Sequence, residues 1–148
     1  MQERETNDTN QNHIILWFMD FDLPHEAITA RLTLQPTRIA TKRQEQVTPN
    51  GITKISRHTF WEYEWKIESN EFIGDGVERF VNEIIKPRTE HIKALTAVID
   101  AEFKIVQYYY DGCNPGYHFT TETMQTLIAA NLEMDIDIYC LSGVEASR

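Results

Sequence analysis

The sequence predicts an α+β domain: a two-layer sandwich with a mostly antiparallel or mixed sheet and helices packed on one face. Three observations carry that prediction. Segments with a period of two alternate with segments of helical period, in the order strand, helix, strand, helix, strand, helix, strand. One strand segment sets large rings on one face and charge on the other. The composition holds 16 Ile, 6 Val and 15 Thr against 8 Leu, a weighting toward sheet. The length, 148 residues, suits one domain. We place it at 13–141, after a polar, disordered N-terminal lead (1–12) and before a flexible tail (142–148).

The elements follow in order. Ile14–Leu23 is apolar on both faces as far as Asp20, which suits a central strand covered on both sides. Pro24 then stands near a helix start, where its missing N–H costs nothing. Ala27, Ile28, Arg31 and Leu32 give the spacing of a short helix. Gln35–Ile52 contains Pro36, Pro49 and Asn50-Gly51 and few apolar side chains, so it reads as a long connection, and such loops are usually functional. Thr53–Glu68 reads as a strand in which Trp61, Tyr63, Trp65 and Ile67 alternate with Glu62, Glu64 and Lys66. Gly76–Glu102 reads as helix, with Pro87 forcing a kink or a junction. Phe103–Asp111 is a strand of strong β composition, and Asp111–Gly116 is a turn cluster. Thr121–Leu132 is a helix capped by Thr120 or Thr121, with Met124, Leu127 and Ile128 as its buried stripe. Met134–Leu141 alternates cleanly as the last strand, and Cys140 reads as a small core residue.

Charge and composition exclude several classes. The net charge of −9 argues against a protein that coats DNA. The longest purely apolar run, Ile14–Met19, is far short of the roughly 20 residues of a membrane span. Without the basic and apolar regions of a signal peptide, the chain reads as cytoplasmic, with Cys113 and Cys140 as free thiols. No metal, cofactor or catalytic motif is visible. The five histidines (His13, His25, His58, His91, His118) show no ligand spacing, and the six glycines form no phosphate cradle.

The run FDLPHEAITARLTLQPTR resembles the start of the domain-of-unknown-function family 4279, a bacterial and phage family. The similarity rests on Leu23-Pro24, Ile28, Leu32 and Leu34-Gln35-Pro36-Thr37. The strand around Trp61 and Trp65 is similar to the family's Trp-bearing strand, and LEMDIDIYCL to its acidic last strand. The resemblance covers Ile14–Leu141. It supports the fold and implies a bacterial or phage origin, but it implies no reaction.

One charge pattern points to chemistry. Between Arg31 and Lys66 seven cations face three acids, a local +4, which leaves −13 on the rest of the chain. Arginine and lysine form charge-assisted bonds to phosphate. Beside stacking rings they suit a nucleotide, the cations taking the phosphate and a ring the base. The candidate ligand-binding residues are therefore Arg38, Lys42, Arg43, Arg57, Trp61 and Trp65, with Tyr108 and Tyr110 as a second aromatic cluster. The plain alternative is a solvated loop that pairs with the protein's own acids.

Three functions follow. The first is a non-enzymatic module that captures a small anionic ligand, as a homo-oligomer, and in a phage acts as a sponge for a nucleotide-type defence signal. The second is an acidic immunity or inhibitor protein that covers a basic partner such as a toxin or nuclease. The third is a metal-assisted hydrolase, which requires Asp20, Asp22, Asp135 and Asp137 to crowd together through pairing of the first and last strands.

Overall fold

The computed structural model describes residues 11–67, 71–110 and 116–141. The expected tail, most of the expected lead, and Cys113 lie outside them. The last two residues of the lead belong to the fold, because the first strand, β1 (Gln11–Met19), begins there and buries Asn12.

β1 is the centre of a five-stranded sheet. It pairs antiparallel with β5 (Phe60–Ile67) on one side and β6 (Asp100–Tyr109) on the other. β2 (Arg38–Ala40) adds antiparallel to β5, and β7 (Glu133–Cys140) adds parallel to β6. The order is β2-β5-β1-β6-β7, and β3 (Glu45–Val47) with β4 (Thr53–Ile55) forms a separate two-stranded hairpin. The sheet is therefore mixed. Its one parallel pair is joined by a helical crossover, as parallel pairing demands.

The register gives the sheet one apolar face. Ile14, Leu16 and Phe18 lie opposite Trp65, Tyr63 and Trp61 on β5, and opposite Ile105, Phe103 and Ala101 on β6. With a period of two, all nine side chains share one face, and the helices cover it. β1 is thus covered on one side only, not on both as its composition suggests. Ile15, Trp17 and Met19 face away from the helices and are half-buried by neighbouring strands.

The helical layer holds α1 (His25–Leu32), α2 (Ile73–Phe80), α3 (Thr89–Thr96) and α4 (Thr121–Ala129). A π-turn at Val81–Ile85 and a 3-10 turn at Lys86–Arg88 join α2 to α3. That irregularity is the consequence of Pro87, which lacks an N–H and would crowd the preceding turn of a regular helix. Arg88 uses the carbonyls this exposes. Its Nη1 donates to Glu83 O at 3.4 Å and Ile84 O at 3.1 Å, while its Nε donates to Leu32 O at 2.7 Å, tying the junction to the end of α1. Gly74 is where the chain after Gly116 crosses α2, and a Cβ there would lie 2.9 Å from His118 O.

The structure changes five other expectations. The connection over 35–52 contains β2 and β3, three-residue strands placed by backbone pairing, with only Ala40 of β2 buried. The expected strand over 53–68 is two strands, with Arg57 and His58 between them. The helix after Gly76 starts earlier and ends at Thr96, because β6 already begins at Asp100. Finally, α4 buries Thr123 and Leu127, while Met124 and Ile128 are exposed, and Cys140 is exposed on the edge strand. The apolar spacing of α4 is thus wider than the face it buries. Thr120 caps it as expected, its Oγ1 accepting from Thr123 N at 3.1 Å.

Phe80 joins the two layers. Its ring is 5.2 Å from Trp65, 5.8 Å from Phe103 and 6.0 Å from Tyr63, and it is fully buried. Phe80→Ala should cost about 3–5 kcal/mol, the usual range for a buried ring. Ile128→Ala, 76% exposed, should stay within about 0.5 kcal/mol. Urea unfolding followed by circular dichroism measures both.

Candidate functional site

The basic segment folds beyond one edge of the sheet, as β2 and the β3–β4 hairpin. Arg38 lies opposite Glu62. Its Nε donates to Glu62 Oε1 at 3.0 Å and its Nη2 to Oε2 at 3.3 Å. The guanidinium also sits 4.9 Å from the centroid of the Phe60 ring. Two of its five N–H groups serve Glu62, so the group is held in place while three donors stay available. Glu62 is buried; the Arg38 side chain is 60% exposed.

On the hairpin, Gln46 and Lys54 are direct partners and share a face. Gln46 Nε2 donates to Ile39 O at 3.4 Å, turning that face toward β2. The turn closes through Thr48 N to Ile52 O and Gly51 N to Thr48 O, each 2.8 Å. Gly51 has φ of +76°, a conformation that favours glycine. Between β2 and the hairpin lies an open cleft of about 480 Å³ lined by Arg38, Gln46, Val47, Thr48, Pro49 and Lys54. Among the described residues, no carboxylate pairs with Lys54, nor with Lys42, Arg43 or Arg57.

The eight residues singled out in the sequence do not form one site. Arg38 lines the cleft. Lys42, Arg43 and Arg57 are exposed on the loops at the hairpin's base and do not line it; Arg43, at φ +69°, donates its backbone N–H to Ser56 O at 2.8 Å. Trp61 is a correction to the candidate set. It is fully buried, edge-on to Phe18 at 5.7 Å, and its indole N–H donates to Thr29 Oγ1 at 3.0 Å, so neither ring face is open to a ligand. Trp65 is half-buried on the helix-covered face, behind the sheet from Arg38, and donates to Tyr63 Oη at 3.1 Å. The cation beside it is Arg79 of α2, 5.7 Å from the ring centroid and paired with Glu71 at 2.9 Å. The stacked pairing of loop cations with these two rings is therefore absent, because strand parity sends them to opposite faces.

Tyr108 lies on the helix-free face, stacked on Tyr139 at 5.1 Å and edge-on to His13 at 5.9 Å. Tyr110 follows the end of β6 and is half-buried. β1 and β5 separate both from the cleft. Sequence reasoning missed Gln46, Val47, Thr48, Pro49 and Lys54 as a lining. The available signal was the Thr48–Gly51 turn, which folds one half of the basic segment back on the other.

The carboxylate cluster does not form. β6 lies between β1 and β7, so Asp20 and Asp22 do not join Asp135 and Asp137. Asp20 pairs with His58 at 2.9 Å and Asp135 with Lys104 at 3.5 Å. Among the described residues, no three His, Cys, Asp or Glu side chains are placed to hold a metal ion. No described helix is long and apolar enough to cross a membrane.

Residues 10–141 match the model of a protein family described as a domain of unknown function (DUF4279). The chain belongs to this family. No curated protein and no solved structure matches the chain. The DUF4279 domain thus spans the whole sheet and its helical layer, with the cleft inside it.

Burial pushes the Tyr117 phenol up, since the charged form is poorly solvated there. Its hydroxyl donates to Gln107 Oε1, on the buried face of β6. A pKa raised on folding gives stability that is complete below the unfolded value, about 10, and lost as pH rises through the folded value. Thermal melts across that alkaline range should show wild type losing more of its Tm than Tyr117→Phe, which has no phenol to ionise.

Proposed function

We propose that this protein is a non-enzymatic binding module that captures a small anionic ligand in the cleft between β2 and the β3–β4 hairpin. One observation supports this above all: a guanidinium held in orientation by Glu62 and a lysine with no carboxylate partner among the described residues line the same open space. A preorganised guanidinium loses little side-chain entropy on binding, and charge-assisted bonds from either cation to phosphate or carboxylate are strong. The cleft is of the size that takes small metabolites. Gln46 adds a neutral polar group, and Val47 and Pro49 supply apolar wall.

Among the described residues no aromatic ring lines the cleft, which favours a ligand held by its anionic group rather than by a stacked base. We place the protein in the cytoplasm, where phosphorylated metabolites are abundant. In a phage-borne copy, capture of this kind makes a sponge for a nucleotide-type defence signal, gripped by its phosphates. The hydrolase reading loses its motivating carboxylate cluster and is not carried forward.

Calorimetric titration with inorganic pyrophosphate tests the reading. Arg38→Ala and Lys54→Ala should each weaken binding about tenfold, the loss of one charge-assisted contact, while Trp65→Ala should leave it unchanged. Equal affinity in wild type and both cleft variants would overturn the assignment.

A further inference from the structure

The free edge of β7 and the free edge of the β3–β4 hairpin are complementary to each other. β7 is the last strand, and among the described residues only β6 pairs with it. Its other edge presents an unpaired row of backbone donors and acceptors, a template for strand addition. Along it the side chains alternate. Glu133, Asp135 and Asp137 share the helix-free face, shown by Asp135 reaching Lys104 there; Ile136 and Ile138 take the opposite face and are 37% and 49% exposed. An edge this long, with exposed isoleucines alternating with acids, can accept a strand whose charges match it.

The charge pattern says which partner. Pairing β7 with β7 of another copy would set three carboxylates against three, and like charges placed opposite each other are destabilising. A symmetric dimer through this edge is disfavoured. β4, at the other end of the molecule, carries the matching pattern. Lys54 is on one face, Thr53 and Ile55 are on the other, Ile55 is 63% exposed, and Arg57 follows. β4 pairs with β3 on one edge and with nothing on the other among the described residues. Laid along β7, β4 sets Lys54 beside the Asp135–Asp137 row and Ile55 beside Ile136 and Ile138 at once. Both alternations have a period of two, so a register that satisfies one satisfies the other.

We propose that copies of this chain associate head to tail, β4 of one adding to the free edge of β7 of the next. The contact is heterologous, so it leaves one free surface at each end and builds rings or open chains rather than closed pairs. The contact shares Lys54 with the cleft, so association and anion binding compete for that side chain, whereas β7 lies at the edge of the sheet far from the cleft.

Sedimentation velocity of the full chain at roughly 0.5 mM tests this, at roughly 0.05 M and 0.5 M salt. Wild type should form dimers and longer species that shift toward monomer at the higher salt. Ile55→Asp and Asp137→Lys, both on exposed or half-exposed strand positions, should each weaken association at least about tenfold. Mixed in equal amounts, the two variants should form a dimer that does not grow, since each supplies the surface the other lacks. A monomeric wild type at both salts would overturn the proposal. So would either variant associating like wild type, or a mixture that stays monomeric while wild type associates. Pyrophosphate titration of Asp137→Lys, whose cleft is intact, separates this result from the fate of the anion reading.

Discussion

Everything in this molecule depends on the register of β1 between β5 and β6. That pairing sets the even-numbered residues of β1 beside the odd-numbered rings of β5 and the odd-numbered residues of β6. Slipping one strand by one residue would exchange its faces, sending Trp61, Tyr63 and Trp65 out to water and Glu62 and Glu64 in. Trp61, fully buried, contributes roughly 1.5–3 kcal/mol by burial alone, and the half-buried Tyr63 and Trp65 contribute less. Phe80 then docks the helical layer onto them. The same parity puts Trp61, Tyr63 and Trp65 on the face opposite Arg38, which meets only the Phe60 ring among the rings of β5.

The fold was legible where burial sets the pattern. Ile28 and Leu32, the Trp61–Ile67 alternation, the break at Pro87 and the cap at Thr120 all carry their structural role in their spacing. It was not legible where backbone pairing alone sets it. β2 and β3 are three residues each, and Arg38, Glu45 and Gln46 have no apolar period to betray them. Composition also misled at β1, whose second apolar face is shaded by strand neighbours rather than by a layer, at Met124 and Ile128, which lie on the exposed side of α4, and at Cys140, exposed on the edge strand. Of the candidate site, charge counting found the basic segment and Arg38. It did not find the cleft, which exists because the Thr48–Gly51 turn brings Lys54 back toward β2. The rings failed as ligand contacts because nearness in sequence says nothing about which face of a sheet a side chain takes.

Electrostatics divides the molecule in the same way. Arg38, Lys42, Arg43, Lys54 and Arg57 gather at one end, while Glu133, Asp135 and Asp137 lie at the other. Surface pairs such as Asp20 with His58 are worth little in water, so this separation matters less for stability than for steering what approaches each end.

The central claim is that the aromatic ladder is structural and the cations of the cleft bind. Two-dimensional amide NMR of labelled protein titrated with pyrophosphate addresses both halves in one experiment. The account predicts shifts confined to Arg38, Gln46, Thr48 and Lys54, with the Trp61 and Trp65 indole N–H signals unmoved. Shifts centred on those indoles, with the hairpin unchanged, would contradict it.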